Sequence, residues 1–233
     1  MPFVLEHVLI WSRSFDEYQR MFSLKKEDLS KKILGCADGA SSFNVTAKSQ
    51  GLDVTSCDPL YRLQPDAIGE KVSTSCELIY PKILNSVNDF NWDYFSSPQK
   101  LKTQRLSASK TFLNDYSTQR NSGKYINASL PKLPFDDNSF DIALCGNFLF
   151  LYSEILSADF HINSILELVR VAKEVRIFPL IGNDRQTPKQ LKLVLKALDE
   201  LPVNYNIVEV DYHFTKGANQ MLKIKEIESH SDV

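Results

Sequence analysis

The sequence predicts an α/β protein with a Rossmann-like, doubly wound sheet that is mostly parallel and carries one antiparallel edge strand. Two observations support this fold class. Strand-like apolar runs alternate with amphipathic helical segments along most of the chain, and two strand-like runs follow each other directly near its end. Strands that alternate with helices form parallel sheets covered on both faces, whereas consecutive strands joined by a turn pair antiparallel.

The first third of the chain gives the clearest local signals. Ser14 and Glu17 form a capping box that opens an amphipathic helix, because each side chain can bond the other residue's backbone N–H. An apolar run over 32–36 predicts the first strand. A short helix over 42–50 and a second strand over 53–57 complete one β-α-β unit.

The segment 62–122 is too long for a single crossover helix. It predicts one helix over 65–88, which Pro81 should kink or end, and a second helix that begins after the cap Ser97. We interpret 62–122 as a helical insertion or lid between strands 2 and 3 of a single domain that spans 1–233.

The alternation of strands and helices resumes after the insertion. The predicted elements are strands over 124–129 and 140–145, a helix over 160–173, a strand over 175–179, a helix from Thr187, and final strands over 206–212 and 220–227. The strand over 140–145 is almost continuously apolar, as a strand buried on both faces should be.

Composition limits the functional classes. Lys plus Arg number 27 and Asp plus Glu 29, so the formal charge is −2 and the chain has no global attraction for nucleic acid. No run approaches the roughly 20 apolar residues of a membrane span. The four cysteines form no C-x-x-C pair, which argues against a metal site and favours free thiols in a reducing, cytoplasmic compartment.

Two features mark a ligand site at the carboxyl ends of the strands, where open α/β sheets bind ligands. The first is the turn after strand 1, whose small residues allow a ligand to approach the backbone. The second is Asp58, which follows strand 2 and lies 19 residues after Gly39. A carboxylate about 20 residues past such a turn holds a ribose diol in nucleotide-binding folds. An ordinary tight turn and an exposed turn-forming Asp are the alternatives.

A third stretch of sequence, together with these two features, resembles the pattern of a known protein family. Residues 133–141 read Leu-Pro-Phe, three further residues and then Ser-Phe-Asp, directly before a buried strand. With 33–41 and Asp58, this order resembles the class I S-adenosylmethionine-dependent methyltransferases, nearest to an uncharacterised bacterial branch. The resemblance covers 30–60 and 124–227.

The resemblance implies an S-adenosylmethionine site whose residues are named by position. The methionine moiety of the cofactor would contact Gly35, Cys36, Ala37, Asp38 and Gly39, and its ribose would contact Asp58. Its adenine would contact Pro59, Leu60, Ser129 and Leu130. Its sulfonium would lie near the loop with Cys145 and Asn147. The implied activity is methyl transfer, and the balanced charge favours a small-molecule acceptor over nucleic acid.

Three positions depart from the family pattern. The family usually has an acid where Gly35 and Ser129 stand, and a glycine where Ala37 stands. These departures leave open a non-catalytic protein of the same fold that serves as a binding or scaffold subunit. A nicotinamide-dependent oxidoreductase is a third hypothesis, against which the absence of G-x-G-x-x-G counts.

The sequence names no catalytic residue. Methyl transfer depends mainly on positioning, and a base is needed only for a protonated acceptor. His161 could be such a base or an ordinary residue at a helix start. Tyr18 and Arg13 could cover the cofactor, or Tyr18 could simply pack and Arg13 be solvated. The basic residues of the second inserted helix, among them Arg105, are interpreted as a solvated face rather than a nucleic-acid contact. No signal indicates an oligomeric state.

Overall fold

The computed structural model describes residues 8–227, so both ends of the predicted 1–233 domain lie outside the described residues. Its helices are α1 Phe15–Met21, α2 Phe43–Ser49, α3 Pro65–Leu84, α4 Pro98–Gln119, α5 Ala158–Val171 and α6 Lys189–Leu198. Its strands are β1 Ile33–Cys36, β2 Val54–Cys57, β3 Tyr125–Ile126, β4 Phe140–Gly146, β5 Ala172–Phe178, β6 Val203–Glu209 and β7 Gln220–Glu226.

The seven strands form one sheet in the order β3-β2-β1-β4-β5-β7-β6. The first five are parallel, and β7 pairs antiparallel with both β5 and β6. The predicted fold class is therefore confirmed, with the antiparallel pairing at the expected edge. The order reverses between β1 and β4, which places the switch point of the sheet there.

Alternation along the strands separates two apolar layers. Ile33 of β1 faces a cluster with α1, α2 and part of α3, whereas Leu34 and Cys36 face a cluster with α5 and α6. A strand projects successive side chains to opposite faces, so a strand covered on both sides must be apolar throughout. All four residues of β1 are buried.

Capping signals locate the helix starts well. The capping box of Ser14 and Glu17 is present, and the hydroxyl of Ser97 accepts from the N–H of Lys100 at the start of α4. The helix predicted over 65–88 ends at Leu84, and Pro81 lies within its last turn without ending it. A proline there removes few helical hydrogen bonds because the helix is about to end.

The third strand is much shorter than the predicted 124–129. Only Tyr125 and Ile126 pair with β2, and Ser129 instead forms a bridge with Lys132. The chain turns at this point, so the residues after Ile126 leave the sheet and line the space above it. Within residues 8–227, no helix combines the length and the apolar character that crossing a bilayer requires.

A buried ion pair joins the inserted helices to the rest of the fold. Arg105 of α4 and Glu17 of α1 form a direct salt bridge, with side chains only 2% and 1% exposed. The hydroxyl of Tyr212, after β6, donates to the second Glu17 oxygen at 2.7 Å. The interpretation of the basic residues of α4 as a solvated face is therefore wrong for Arg105, because that side chain points into the core.

Burial and the partner's charge shift the pKa values of Glu17 and Arg105 in opposite directions. Burial raises the pKa of Glu17, but the Arg105 guanidinium outweighs it and holds that pKa below its ordinary value. Burial likewise lowers the pKa of Arg105, but the Glu17 charge raises it above its ordinary value. Both groups therefore stay charged, and each depends on the other.

We expect Arg105→Met to lower the free energy of unfolding by about 3–5 kcal/mol, because it leaves the Glu17 carboxylate buried without its partner. Urea unfolding monitored by circular dichroism measures the loss. Lys110→Met is the matched control on an exposed position of α4, with an expected effect within about 0.5 kcal/mol. Adding Glu17→Gln to Arg105→Met should recover part of the loss, and equal effects at Lys110 and Arg105 would contradict this account.

Candidate functional site

A cavity of about 480 Å³ lies at the carboxyl ends of β1, β2, β3 and β4, at the switch point of the sheet. We call it the first cavity. Its lining includes most of the residues suggested by the sequence, namely Ala37, Asp38, Gly39, Asp58, Pro59, Leu60, Ser129, Leu130 and Asn147. The structure thus brings together residues from four separate loops.

Three suggested residues do not line this cavity. Alternation along β1 and β4 turns the side chains of Cys36 and Cys145 into the apolar cluster with α5 and α6. Burial raises the pKa of the Cys145 thiol to about 12, so this thiol stays neutral. Gly35 lies at the end of β1 beneath the side chain of Asp38, as described below.

The turn after β1 uses left-handed backbone to bring the chain round the end of the strand. Ala37 has φ +55° and Gly39 has φ +56°. The left-handed conformation costs an L-residue roughly 1–2 kcal/mol, which explains why a glycine suits position 37. A Cβ at Gly39 would meet no protein heavy atom within 4 Å. The cavity therefore has free space directly beside the backbone of Gly39.

Asp38 occupies the space above Gly35. A Cβ built on Gly35 would lie 2.8 Å from the Asp38 Cγ and 2.9 Å from each of its carboxyl oxygens. The sequence showed a glycine where the family usually has an acid, and an acid three residues later. The structure connects the two observations, because only a residue without a side chain at position 35 leaves room for this carboxyl group.

Hydrogen bonds hold the Asp38 carboxyl group in place. It accepts from the hydroxyls of Tyr18 and Ser56, and its side chain is buried. Burial, reinforced by the nearby Asp58 charge, raises the pKa of Asp38 to about 6, although the bonds from Ser56 and Tyr18 act in the opposite direction. This carboxyl group therefore titrates close to neutral pH.

Asp58 joins two turns of the cavity floor. One carboxyl oxygen accepts from the N–H of Gly39 at 2.9 Å, and the other accepts from the N–H of Leu60 at 2.7 Å. Each oxygen has two lone pairs, so each keeps acceptor capacity for a ligand hydroxyl. Burial raises the pKa of Asp58 above its ordinary value, and the two N–H donors oppose that shift.

Asn147 lies at the boundary of a second cavity. Its φ of +55° turns the chain sharply after β4, and its N–H donates to the carbonyl of Phe178 at 2.6 Å. Its side-chain amide contacts the sulfur of Met21 at 3.2 Å. Asn tolerates the left-handed conformation better than most residues, which accounts for its place here.

The second cavity has a volume of about 590 Å³ and shares Leu9, Trp11, Arg13 and Asn147 with the first. Residues 8–14, which we call the N-terminal segment, form most of the partition between the two. Hydrogen bonds fix this segment on both sides. The N–H of Leu9 donates to the Tyr152 hydroxyl and the N–H of Ile10 to the Ser75 hydroxyl, both at 3.0 Å.

Only part of this site was predicted from the sequence. Tyr18 and Arg13 do reach the first cavity, as one of the two alternatives held. The roles of Leu9, Trp11 and Ser12 were missed, because an extended segment carries no periodic pattern and its partners lie far along the chain. The second cavity was missed for the same reason.

His161 does not face either cavity. Its ring is buried, with Nδ1 2.8 Å from the carbonyl oxygen of Ser157 and Nε2 3.0 Å from that of Leu149. The ring also packs against Phe150. Both nitrogens serve the local structure, which favours the packing alternative over a general base. Among residues 8–227, no group of three or more His, Cys, Asp or Glu side chains is arranged to hold a metal ion.

Comparison with known proteins gives one clear sequence relative. The chain is 37% identical over 222 residues to the uncharacterised protein MJ0045 of Methanocaldococcus jannaschii, covering 95% of this chain and 97% of that one. No protein-family model matches the chain. This relative is archaeal and uncharacterised, so it does not support the bacterial branch that the sequence suggested.

Solved structures with a similar fold are methyltransferases. The methyltransferase domain of a bacterial Hen1 protein aligns with a TM-score of 0.50 at 12% identity, over 90% of this chain and 99% of that one. A putative S-adenosylmethionine-dependent methyltransferase of Methanococcus maripaludis aligns at 0.46 and 12%, over 93% and 85%. At sequence identities this low, the alignments support the fold alone. The likeness to the Hen1 domain agrees with the order and direction of the strands described above.

We expect Asp38→Asn to remove a pH dependence of stability. The folded-state pKa of about 6 exceeds the ordinary value of 3.8, so the folded protein binds this proton more tightly than the unfolded chain. The neutral form therefore stabilises the fold at low pH, and this contribution, roughly 3 kcal/mol at most, is lost as the pH rises from about 4 to above 6.

Urea unfolding of both proteins between pH 4.5 and 8 (roughly the range set by these pKa values) measures the effect. The stability of Asp38→Asn relative to the native protein should increase with pH and level off above pH 7. A difference that stays constant across the range would show that Asp38 is not perturbed by its burial. Titrating groups far from Asp38 cancel in the comparison.

Proposed function

We propose that this chain, which belongs to the family of the uncharacterised protein MJ0045, is an S-adenosylmethionine-dependent methyltransferase that acts on a small molecule. The observation that carries the proposal is the pair of adjoining cavities at the switch point. One is bordered by nucleotide-binding features, and the other offers space for an acceptor beside it. Group transfer requires two such compartments in direct contact.

The residues of the first cavity fit the cofactor. Asp58 retains lone pairs for the two ribose hydroxyls, and the apolar side chains of Pro59, Leu60 and Leu130 suit an adenine ring. The free space beside Gly39 lets a ligand approach the backbone closely. Ser12 also lines this cavity, and its buried hydroxyl has no hydrogen-bond partner among the described residues. An unpaired buried hydroxyl is costly, so a polar ligand group is expected beside it.

The residues between the two cavities would hold the cofactor and the acceptor in position for the reaction. When bound, the cofactor supplies an electrophilic methyl group. Asn147, Trp11 and Arg13 border both cavities and so orient the two ligands relative to each other. Leu9 and Trp11 also shield the junction from water with apolar surface. Among residues 8–227, no histidine lines either cavity, and the His161 ring lies against two carbonyl groups instead.

The size of the second cavity supports a small-molecule acceptor. A volume of about 590 Å³ is in the range of cavities that enclose one small ligand. A nucleic acid would need an open basic surface, which the balanced composition does not provide. The interpretation of 62–122 as a helical insertion or lid remains a prediction, and the buried Arg105 ties α4 of this segment to α1.

We expect Asp58→Asn to weaken the binding of S-adenosylmethionine and S-adenosylhomocysteine by about tenfold or more, because a hydrogen bond to a charged group contributes roughly 1.5–3 kcal/mol. Calorimetric titration of the purified protein measures both affinities, with NAD as a competing ligand. Asp53→Asn is the matched control, since that acid also flanks β2 but pairs with Lys124 at the surface.

Three results would change the assignment. Unchanged affinity in Asp58→Asn would remove that residue from the site. Absence of adenosyl binding by well-folded native protein would favour the non-catalytic alternative and prompt a search for a protein partner. Displacement of the adenosyl compounds by NAD would favour the oxidoreductase alternative.

A further inference from the structure

Arg13 carries a positive charge that forms no ion pair with any carboxylate of residues 8–227. Its side chain is half-buried and lines both cavities. One guanidinium nitrogen donates to the carbonyl of Trp11, but Nε is buried without a hydrogen-bond partner. Among the described residues, no carboxylate lies within ion-pair distance of it. Arginine cannot release its proton to relieve this situation.

The nearest carboxylate is already in use. Glu17 accepts from Arg105, from Tyr212 and from the N–H of Ser14. Two guanidinium groups therefore share the neighbourhood of one carboxylate, which leaves one positive charge in excess. Burial and the Arg105 charge both lower the pKa of Arg13, which shows that its environment disfavours the charge. A ligand anion at this position would supply the missing partner.

A second hydrogen-bond donor, the hydroxyl of Tyr152, lies in the second cavity. Tyr152 lines the second cavity only, and its oxygen accepts from the N–H of Leu9. No described residue accepts the hydroxyl proton of Tyr152, so that proton is available to a ligand. Burial raises the pKa of this hydroxyl, while the nearby Arg13 charge opposes the shift. Tyr152 thus remains a neutral donor close to the Arg13 guanidinium.

The rest of the second cavity is mainly apolar. Its walls include the side chains of Ile79, Ile83, Phe90, Phe178, Ile181 and Phe214. Of its other charged residues, Asp89 and Arg185 pair with each other at 2.8 Å. The Asp184 carboxyl group accepts from the N–H of Gln186 within its own turn. Among the described residues that line both cavities, Arg13 is the one that carries a charge.

We propose that the second cavity binds an apolar monocarboxylic acid, whose carboxylate contacts Arg13 and Tyr152 at the junction, and that the reaction is methylation of this carboxylate. The proposal rests on the proposed methyltransferase function. The reaction requires no general base, because a carboxylate is already ionised at neutral pH and needs no proton removed.

The reaction balances without any further reactant. A carboxylate oxygen donates an electron pair to the methyl carbon, and the bond between that carbon and sulfur breaks. The electron pair of the broken bond stays on sulfur. The products are a methyl ester and S-adenosylhomocysteine, and no proton is transferred. Arg13 and Tyr152 act as binding residues that hold one carboxylate oxygen and leave the other free.

A matched set of ligands tests the binding step in the absence of cofactor. Phenylbutyrate, phenylbutanol and phenylbutylamine share an apolar body and differ in charge. Calorimetric titration should show the acid binding about tenfold or more tightly than the alcohol, with the amine weakest. Arg13→Gln should abolish this preference, and Tyr152→Phe should reduce it. Arg20→Gln, which removes an exposed arginine paired with Asp16, should leave it unchanged.

Stability separates a binding role from a structural one. Arg13→Gln should unfold at the same or a higher urea concentration than the native protein, because it removes an unpaired, partly buried charge. Phenylbutyrate should raise the unfolding midpoint of the native protein but not that of Arg13→Gln. Mass spectrometry of the native protein with phenylbutyrate and S-adenosylmethionine should detect the methyl ester and no product from the alcohol.

The outcomes distinguish this proposal from the proposed function. Equal affinity for the three ligands, or a preference for the amine, overturns it even if the adenosyl compounds bind. Loss of adenosyl binding in Arg13→Gln also overturns it, because Arg13 would then serve the cofactor's own carboxylate. Acid binding without any adenosyl binding would keep the anion site and reject the methyltransferase.

Discussion

The buried salt bridge between Arg105 and Glu17 is the interaction on which the arrangement of the site depends. It joins α4 to α1, and Tyr212 adds the segment after β6 to the same network. Arg105 also donates to the carbonyl of Ser12 at 3.0 Å, so the pair positions the N-terminal segment. That segment forms the partition between the two cavities. A charge pair that lines neither cavity thereby helps to determine where the two cavities meet.

One fold can place a chemical group from different positions of its chain. The resemblance to methyltransferases predicts an acid where Gly35 stands, and the Asp38 carboxyl group lies in the space directly above Gly35. The chain thus places a carboxyl group at this point from three residues later. Tyr18 and Ser56 hold it there, which couples the turn to α1 and to β2. The glycine at position 35 and the acid at position 38 therefore form one structural feature.

Local signals made the scaffold predictable, whereas the partition depends on contacts between distant residues. Caps such as Ser14 and Ser97 act within one helical turn, and apolar strands reveal their burial directly, so the element order and the fold class followed from the sequence. Most of the first cavity could be named because its loops follow strands in a known order. The contact between Leu9 and Tyr152 spans 143 positions, and no local pattern encodes it. The burial of Arg105 was likewise invisible, since its partner lies on another helix.

The distribution of charge around the two cavities is consistent with a transfer between unlike ligands. Asp38 and Asp58 line the first cavity, and Arg13 lies at its border with the second. A cofactor with a sulfonium group is favoured beside carboxylates, because opposite charges attract strongly where water is scarce. An anionic acceptor is favoured beside the unpaired guanidinium. In the proposed methyl transfer, the acceptor anion would therefore lie next to the cationic sulfur, and the methyl group would pass between them.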